Sequence, residues 1–158
     1  MKNLIIILVL FSLFSCDKKE EVEEQAIIDV FIELSVYNSQ NIDLLDTANP
    51  GHLESSDIKL FYEINGNIIE VNDPNMENPR NFTIFKHTNE YRIGITMNHT
   101  ETSDRPRTFI KWTEDDIDTI ETIYERPNNS ILKRTVLLNG IEIWNWTTNS
   151  EEYYKLIK

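Results

Sequence analysis

The densest group of residues able to bind a metal ion or move a proton is the acidic segment from Glu114 to Asp118. Asp115, Asp116 and Asp118 bring three carboxylates close together, and oxygen ligands of this kind suit calcium. The segment lacks the glycine and the distal glutamate of an EF-hand loop, so a solvated turn is the stronger interpretation. No firm metal site and no cofactor are predicted. Paired carboxylates also hydrolyse glycosides, which leaves a carboxylate-dependent hydrolase as a minor alternative.

The other residue types that commonly carry catalysis form no recognisable pattern. The histidines, His52, His87 and His99, lie far apart and have no spacing typical of zinc ligands. The serines lack the Gly-x-Ser-x-Gly context of a hydrolase, and the glycines do not cluster into a phosphate-binding loop. The sequence therefore predicts a protein without enzymatic activity.

Two tryptophans near the end of the chain are candidates for ligand binding. Trp144 and Trp146 are two residues apart, so on a β-strand they share one face. If that face is exposed, the pair forms a flat aromatic platform for a sugar or a protein. If it is buried, the pair belongs to the hydrophobic core, which is the stronger interpretation.

The N-terminal segment has the pattern of an export signal. Lys2 precedes an apolar stretch of eleven residues, Leu4 to Phe14, interrupted only by Ser12. A membrane-spanning helix needs about 20 apolar residues, so this stretch is too short to cross a bilayer. Its length is typical of a secretory signal peptide. Leu13-Phe14-Ser15-Cys16 resembles the lipobox of bacterial lipoproteins, although Phe14 is larger than usual. The resemblance implies cleavage after Ser15 and a diacylglyceryl group on Cys16.

Lipidation also explains why an exported chain has a single cysteine, Cys16; the alternative is a plain free thiol. Asp17 to Gln25 is acidic and too polar to fold alone, so it is interpreted as a flexible tether. Acidic residues after the lipidated cysteine resemble the export signal of small Bacteroidota lipoproteins. That resemblance implies an outer-membrane anchor facing the cell surface, with a periplasm-facing anchor as the alternative. Asp17 would instead imply inner-membrane retention under the enterobacterial sorting rule.

The rest of the chain predicts one β-rich domain. The expected organisation is a signal peptide over residues 1–15, a lipidated cysteine and tether over 16–25, and a single domain over 26–158. Asn65-Gly66 and Asn139-Gly140 each separate two β-rich runs and favour type I′ hairpin turns. About nine short strands without a helical period predict an antiparallel β-sandwich, immunoglobulin-like or transthyretin-like.

The net charge and short sequence motifs limit the classes of partner that this chain is expected to bind. The net charge of −12 argues against nucleic-acid binding. Asp46-Thr47-Ala48 and Asp118-Thr119-Ile120 resemble the tripeptide that is O-glycosylated in exported Bacteroidota proteins, with Thr47 the better candidate and Thr119 the weaker one.

The leading hypothesis is a membrane-anchored, non-enzymatic binding or accessory domain. Its expected partners are the lipid bilayer, through acylated Cys16, and a protein or a glycan. The alternative is a surface carbohydrate-binding module.

Overall fold

The computed structural model describes residues 26–100 and 103–158, so the predicted signal peptide, Cys16 and the tether lie outside the described residues. This part of the chain forms eleven β-strands and no helix. The strands are β1 (Ile28–Asp29), β2 (Phe31–Tyr37), β3 (Lys59–Ile64), β4 (Asn67–Glu70), β5 (Phe82–His87), β6 (Glu90–Thr96), β7 (Arg107–Thr113), β8 (Asp116–Glu125), β9 (Ile131–Leu138), β10 (Ile141–Asn145) and β11 (Tyr153–Ile157). The predicted all-β sandwich is confirmed.

Two features account for the difference between eleven strands and the nine expected. The predicted strand from Ile27 to Tyr37 is divided at Val30, because β1 pairs with the seven-stranded sheet and β2 with the other sheet. The segment around Tyr153, which carries no clear sequence pattern, forms β11. The narrower expectation of an immunoglobulin-like or transthyretin-like arrangement stays a prediction.

The strands form two sheets. One has the order β1-β9-β8-β7-β3-β4, with β10 also paired to β9, and the other has the order β11-β2-β6-β5. Most neighbours are antiparallel, but β1 runs parallel to β9 and β11 runs parallel to β2. Both predicted hairpins are present, and the asparagine and glycine of each turn have positive φ angles, as a type I′ turn requires.

The hydrophobic core lies between the sheets because each strand alternates apolar and polar side chains. In β2, Ile32, Leu34 and Val36 are fully buried, while Glu33 and Tyr37 on the opposite face are partly exposed. The facing sheet contributes further buried side chains, among them Leu60, Ile110, Trp112, Ile120 and Val136. The alternation leaves the outer face of the four-stranded sheet free to carry polar and aromatic groups.

One glycine shapes that outer face. Gly94 in β6 is covered by the ring of Phe31, which reaches diagonally across from β2. A Cβ atom at position 94 would overlap the Cζ of Phe31. The missing side chain therefore leaves the space that the Phe31 ring occupies.

Candidate functional site

The candidate site is a group of polar and aromatic side chains on the outer face of the four-stranded sheet. We call it the Arg92 face, and its members are Glu33, Ser35 and Tyr37 of β2, Glu90 and Arg92 of β6, and Tyr153 of β11. Strand register brings them together, since Glu33 pairs with Tyr153 in β11 and lies beside Arg92 in β6. Their neighbours in sequence on β2 and β6, such as Leu34 and Ile93, fill the core.

The guanidinium of Arg92 is held on three sides. Its Nε donates to Oε1 of Glu90 at 2.7 Å, and its Nη1 donates to Oε2 of Glu33 at 3.0 Å. Its Cζ lies 3.8 Å from the centroid of the Tyr153 ring, a cation–π distance. Two charge-assisted hydrogen bonds and a stacked ring leave this side chain little freedom.

Two phenols complete the face. The hydroxyl of Tyr37 donates to Oε2 of Glu90 at 3.2 Å, and the Tyr153 hydroxyl lies 2.8 Å from Oγ of Ser35. Burial, and then the charge of Glu90, raises the pKa of Tyr37 to about 12. Burial also raises the pKa of Tyr153. Both phenols are therefore protonated near neutral pH.

A shallow polar recess of about 280 Å³ adjoins this face. It is lined by Glu33, His87, Arg92, Glu151, Glu152 and Tyr153. Its volume lies just below the range typical of drug-sized ligand pockets, so it fits a single side chain or one sugar ring. The arrangement offers hydrogen bonds and ring surface in fixed positions.

Two carboxylates of the predicted acidic cluster form ion pairs with Lys158. Asp118 is buried and accepts hydrogen bonds from Trp112 Nε1 at 2.7 Å, Asn139 Nδ2 at 2.7 Å and Lys158 Nζ at 2.8 Å. Asp116 also contacts Lys158 Nζ, at 2.7 Å, whereas Asp115 is exposed in the turn. The ammonium of Lys158 thus occupies the position at which the sequence suggested a calcium ion. Within the two described ranges, no group of three metal-binding side chains is arranged to hold an ion.

These contacts form what we call the Asp118 clasp, consisting of Trp112, Asp116, Asp118, Asn139 and Lys158. Burial disfavours the charged form of Asp118, but the hydrogen bonds from Lys158, Asn139 and Trp112 outweigh it and lower the pKa of this carboxyl. Lys158 follows β11, and its backbone N–H donates to the Tyr37 carbonyl of β2 at 2.7 Å. The clasp therefore connects the two sheets at one end of the sandwich.

The two tryptophans do not share one environment, so the core interpretation holds for Trp144 and not for Trp146. Trp144 is 5% exposed, and its Nε1 donates to the Glu151 carbonyl at 2.9 Å. Trp146 is 55% exposed and its ring lies 4.3 Å from the guanidinium of Arg134. The strand alternation fails because Trp146 lies beyond the end of β10, next to a bulge at Arg134. Trp144 belongs to the core, and Trp146 is the exposed member of the pair.

The two threonines proposed for O-glycosylation differ in accessibility. Thr47 is exposed in a loop, where the Asp46 carboxylate accepts a hydrogen bond from the Ala48 N–H at 3.0 Å. Thr119 is half-buried in β8, and its backbone N–H donates to Asn139 Oδ1 at 2.9 Å. Modification of either residue stays a prediction, and Thr47 is the more accessible of the two.

The burial of Lys133 could not be predicted from the sequence pattern. Lys133 is the largest buried charged side chain among the described residues. Its Nζ forms ion pairs with Asp29 and Glu152, both at 3.1 Å, and also donates to the Phe31 carbonyl. The Nζ lies 4.5 Å from the centroid of the Trp144 ring. A simple alternation counted back from Val136 places Lys133 on the outer face. The bulge at Arg134 reverses that alternation, so that Lys133 lies inside.

Comparison with protein-family models, curated proteins and solved structures finds no match for this chain. In the part of the chain that the structure describes, no helix combines the length and the apolar character needed to cross a membrane. Fold and site together define a β-sandwich that presents a rigid aromatic and charged face.

Proposed function

We propose that this chain is a membrane-anchored lipoprotein whose β-sandwich is a non-enzymatic binding or accessory domain. Acylated Cys16 holds it on the outer membrane, facing the cell surface. The observation that carries the binding role is the fixation of Arg92 by Glu33, Glu90 and Tyr153. A surface whose side chains are already fixed loses little conformational entropy when a partner binds.

The composition of the Arg92 face favours a protein partner. Tyrosine and arginine are enriched in protein interfaces because they combine a large ring or planar surface with hydrogen-bonding groups. Phe31 and Phe85 add partly exposed rings at the border of the face, and His87 and Lys155 add exposed polar groups. The buried position of Trp144 removes half of the tryptophan pair on which a carbohydrate-binding module would depend.

Replacing Cys16 with serine tests the anchor. The thiol forms the thioether to the lipid, so the Cys16→Ser variant is expected to lose lipid labelling and to leave the membrane fraction. The measurement is metabolic labelling with an alkyne fatty acid, combined with membrane fractionation. Ser12→Ala, inside the apolar stretch, is the matched control and should remain labelled. Cys16→Ser protein that is still acylated and membrane-bound would contradict a lipid anchor on Cys16. Protease treatment of intact cells then distinguishes a domain on the cell surface from one that faces the periplasm.

Site-specific photo-crosslinking in living cells tests the binding role. A photoreactive amino acid in place of His87 lies beside the recess and is exposed, so it should give one discrete adduct with a protein partner. The matched control replaces Ile117, which is exposed on the outer face of the seven-stranded sheet. An adduct of equal yield from both positions, or from Ile117 alone, would contradict a binding role for the Arg92 face.

A further inference from the structure

We propose that Asn139-Gly140 is a latent deamidation site, which the Asp118 clasp keeps in the amide form. Asparagine followed by glycine is especially prone to deamidation, because glycine has no side chain to hinder attack by its backbone nitrogen. Both residues are exposed in the turn between β9 and β10. The state of this site affects the chemical lifetime of the fold, whatever partner the Arg92 face binds.

Deamidation requires only water and hydroxide. The backbone nitrogen of Gly140 loses its proton to hydroxide and attacks Cγ of Asn139, so that an N–Cγ bond forms and the Cγ–Nδ2 bond breaks. Nδ2 takes up a proton from water and leaves as ammonia. Water then adds to either carbonyl of the resulting succinimide ring and opens it, which gives aspartate or isoaspartate. The product carries a carboxylate where the amide was.

Three hydrogen bonds hold Asn139 in place. Its backbone N–H donates to the Thr119 carbonyl at 2.8 Å, and the Thr119 N–H donates to Oδ1 of Asn139 at 2.9 Å. Nδ2 of Asn139 donates to Oδ1 of Asp118 at 2.7 Å. The side-chain amide therefore extends the pairing of β8 with β9 and is held at both its oxygen and its nitrogen.

These contacts oppose the reaction at Cγ of Asn139. Attack by the Gly140 nitrogen makes Cγ tetrahedral, so Oδ1 and Nδ2 must both leave the positions in which they are hydrogen-bonded. The lowered pKa of Asp118 keeps its carboxylate ionised, and a hydrogen bond to this anion holds electron density on Nδ2, which makes it a poorer leaving group. Loss of one neutral and one charge-assisted hydrogen bond corresponds to a slowing of at least about tenfold.

Deamidation would in turn destroy the clasp. It replaces the donor Nδ2 of Asn139 with a negatively charged oxygen within hydrogen-bond distance of Asp118, and two like charges at that separation repel each other. Isoaspartate also lengthens the backbone of a two-residue turn whose geometry depends on its length. The hydrolysis is not reversed, so the loss would be permanent. The intact clasp thus prevents the step that would break it.

Peptide mapping by mass spectrometry tests this protection. The purified chain is incubated at mildly alkaline pH, either folded or in urea, and the conversion of amide to acid at Asn139 is followed with time. The expected result is that folding slows the conversion at Asn139 by at least about tenfold relative to the urea-denatured chain. A rate in the folded protein that equals or exceeds the rate in urea would overturn the proposal.

Two substitutions separate the clasp from overall stability. Asp118→Ala removes the acceptor of Nδ2 and should bring the folded-state rate at Asn139 towards the rate in urea. Asp118→Asn, which keeps an acceptor oxygen but removes the charge, should give a smaller acceleration and serves alone if the alanine variant does not fold. Lys133→Ala is the matched control, because it removes buried ion pairs outside the clasp and should leave Asn139 protected.

Asn65-Gly66 provides an internal reference in every sample. This turn has nearly the same φ angles as Asn139-Gly140 but joins β3 and β4, which carry no residue of the clasp. Its folded-state rate should therefore be the same in the Asp118 variants as in Lys133→Ala. Equal acceleration at Asn139 in the Asp118 variants and in Lys133→Ala, or no acceleration in the Asp118 variants, would overturn protection by the clasp.

Discussion

Replacing Lys133 with alanine is expected to lower the free energy of unfolding by about 3 kcal/mol. The substitution leaves a cavity beside Trp144 and removes the partner of the Phe31 carbonyl. It also leaves the carboxylates of Asp29 and Glu152 close together without the ammonium between them. Both carboxylates are partly exposed, so water recovers some of the lost interaction, and the expected loss lies at the lower end of values for broken buried ion pairs. Urea denaturation at neutral pH measures the change.

Two further variants separate packing from charge. Lys133→Met restores much of the volume and should recover part of the loss, and adding Asp29→Asn should recover more by reducing the repulsion between the carboxylates. Lys86→Ala, at an exposed position in β5, is the matched control and should change stability by less than about 0.5 kcal/mol. If Lys133→Ala lowers the free energy of unfolding by no more than the control does, the buried ammonium does not stabilise the fold.

Replacing Asp118 with asparagine is expected to cost about 2–4 kcal/mol at pH 7 and much less in acid. The hydrogen bonds to Asp118 lower its folded-state pKa below its unfolded value, so its carboxylate stabilises the fold above an unfolded pKa of about 3.9. That contribution disappears as the pH falls through the folded-state pKa. A protonated aspartic acid resembles asparagine, so the stabilities of wild type and variant should converge.

Urea midpoints of both proteins between neutral pH and about pH 3 measure this convergence. Asp115→Asn is the matched control, because Asp115 is exposed in the adjacent turn and should leave stability nearly unchanged. A difference between wild type and Asp118→Asn that stays constant across the whole pH range would contradict a stabilising role for the charged form.

The parts of the fold that depend on local sequence could be predicted. The Asn65-Gly66 and Asn139-Gly140 turns require positive φ angles, which few other residue pairs adopt, so a dipeptide is enough to place each hairpin. Apolar and polar residues alternate along β6, and its Ile93 and Ile95 lie in the core as that alternation requires. Alternation failed where a bulge changes it, as at Arg134, and so missed the burial of Lys133.

The candidate site depends on contacts that no local pattern encodes. Ser35 and Tyr153 are separated by 118 positions and meet because β11 pairs in parallel with β2. The same strand carries Lys158 to Asp118, which turned an apparent cation site into an internal ion pair. Short parallel edge strands have no hairpin signal, since their partners lie far away in sequence.

The parallel pairing of β11 with β2 also determines how the domain would carry mechanical load. β2 follows β1 at the entrance of the chain into the fold, and it bears Glu33, Ser35 and Tyr37 of the Arg92 face. Hydrogen bonds join β2 to the β11 segment along its length, from Glu33 to Tyr37. A pull along β2 would load these bonds together in shear rather than open them one at a time. Tension between a partner on this face and the anchor would therefore act on the hydrogen bonds of β2 and on the core packing of Ile32, Leu34 and Val36 at the same time.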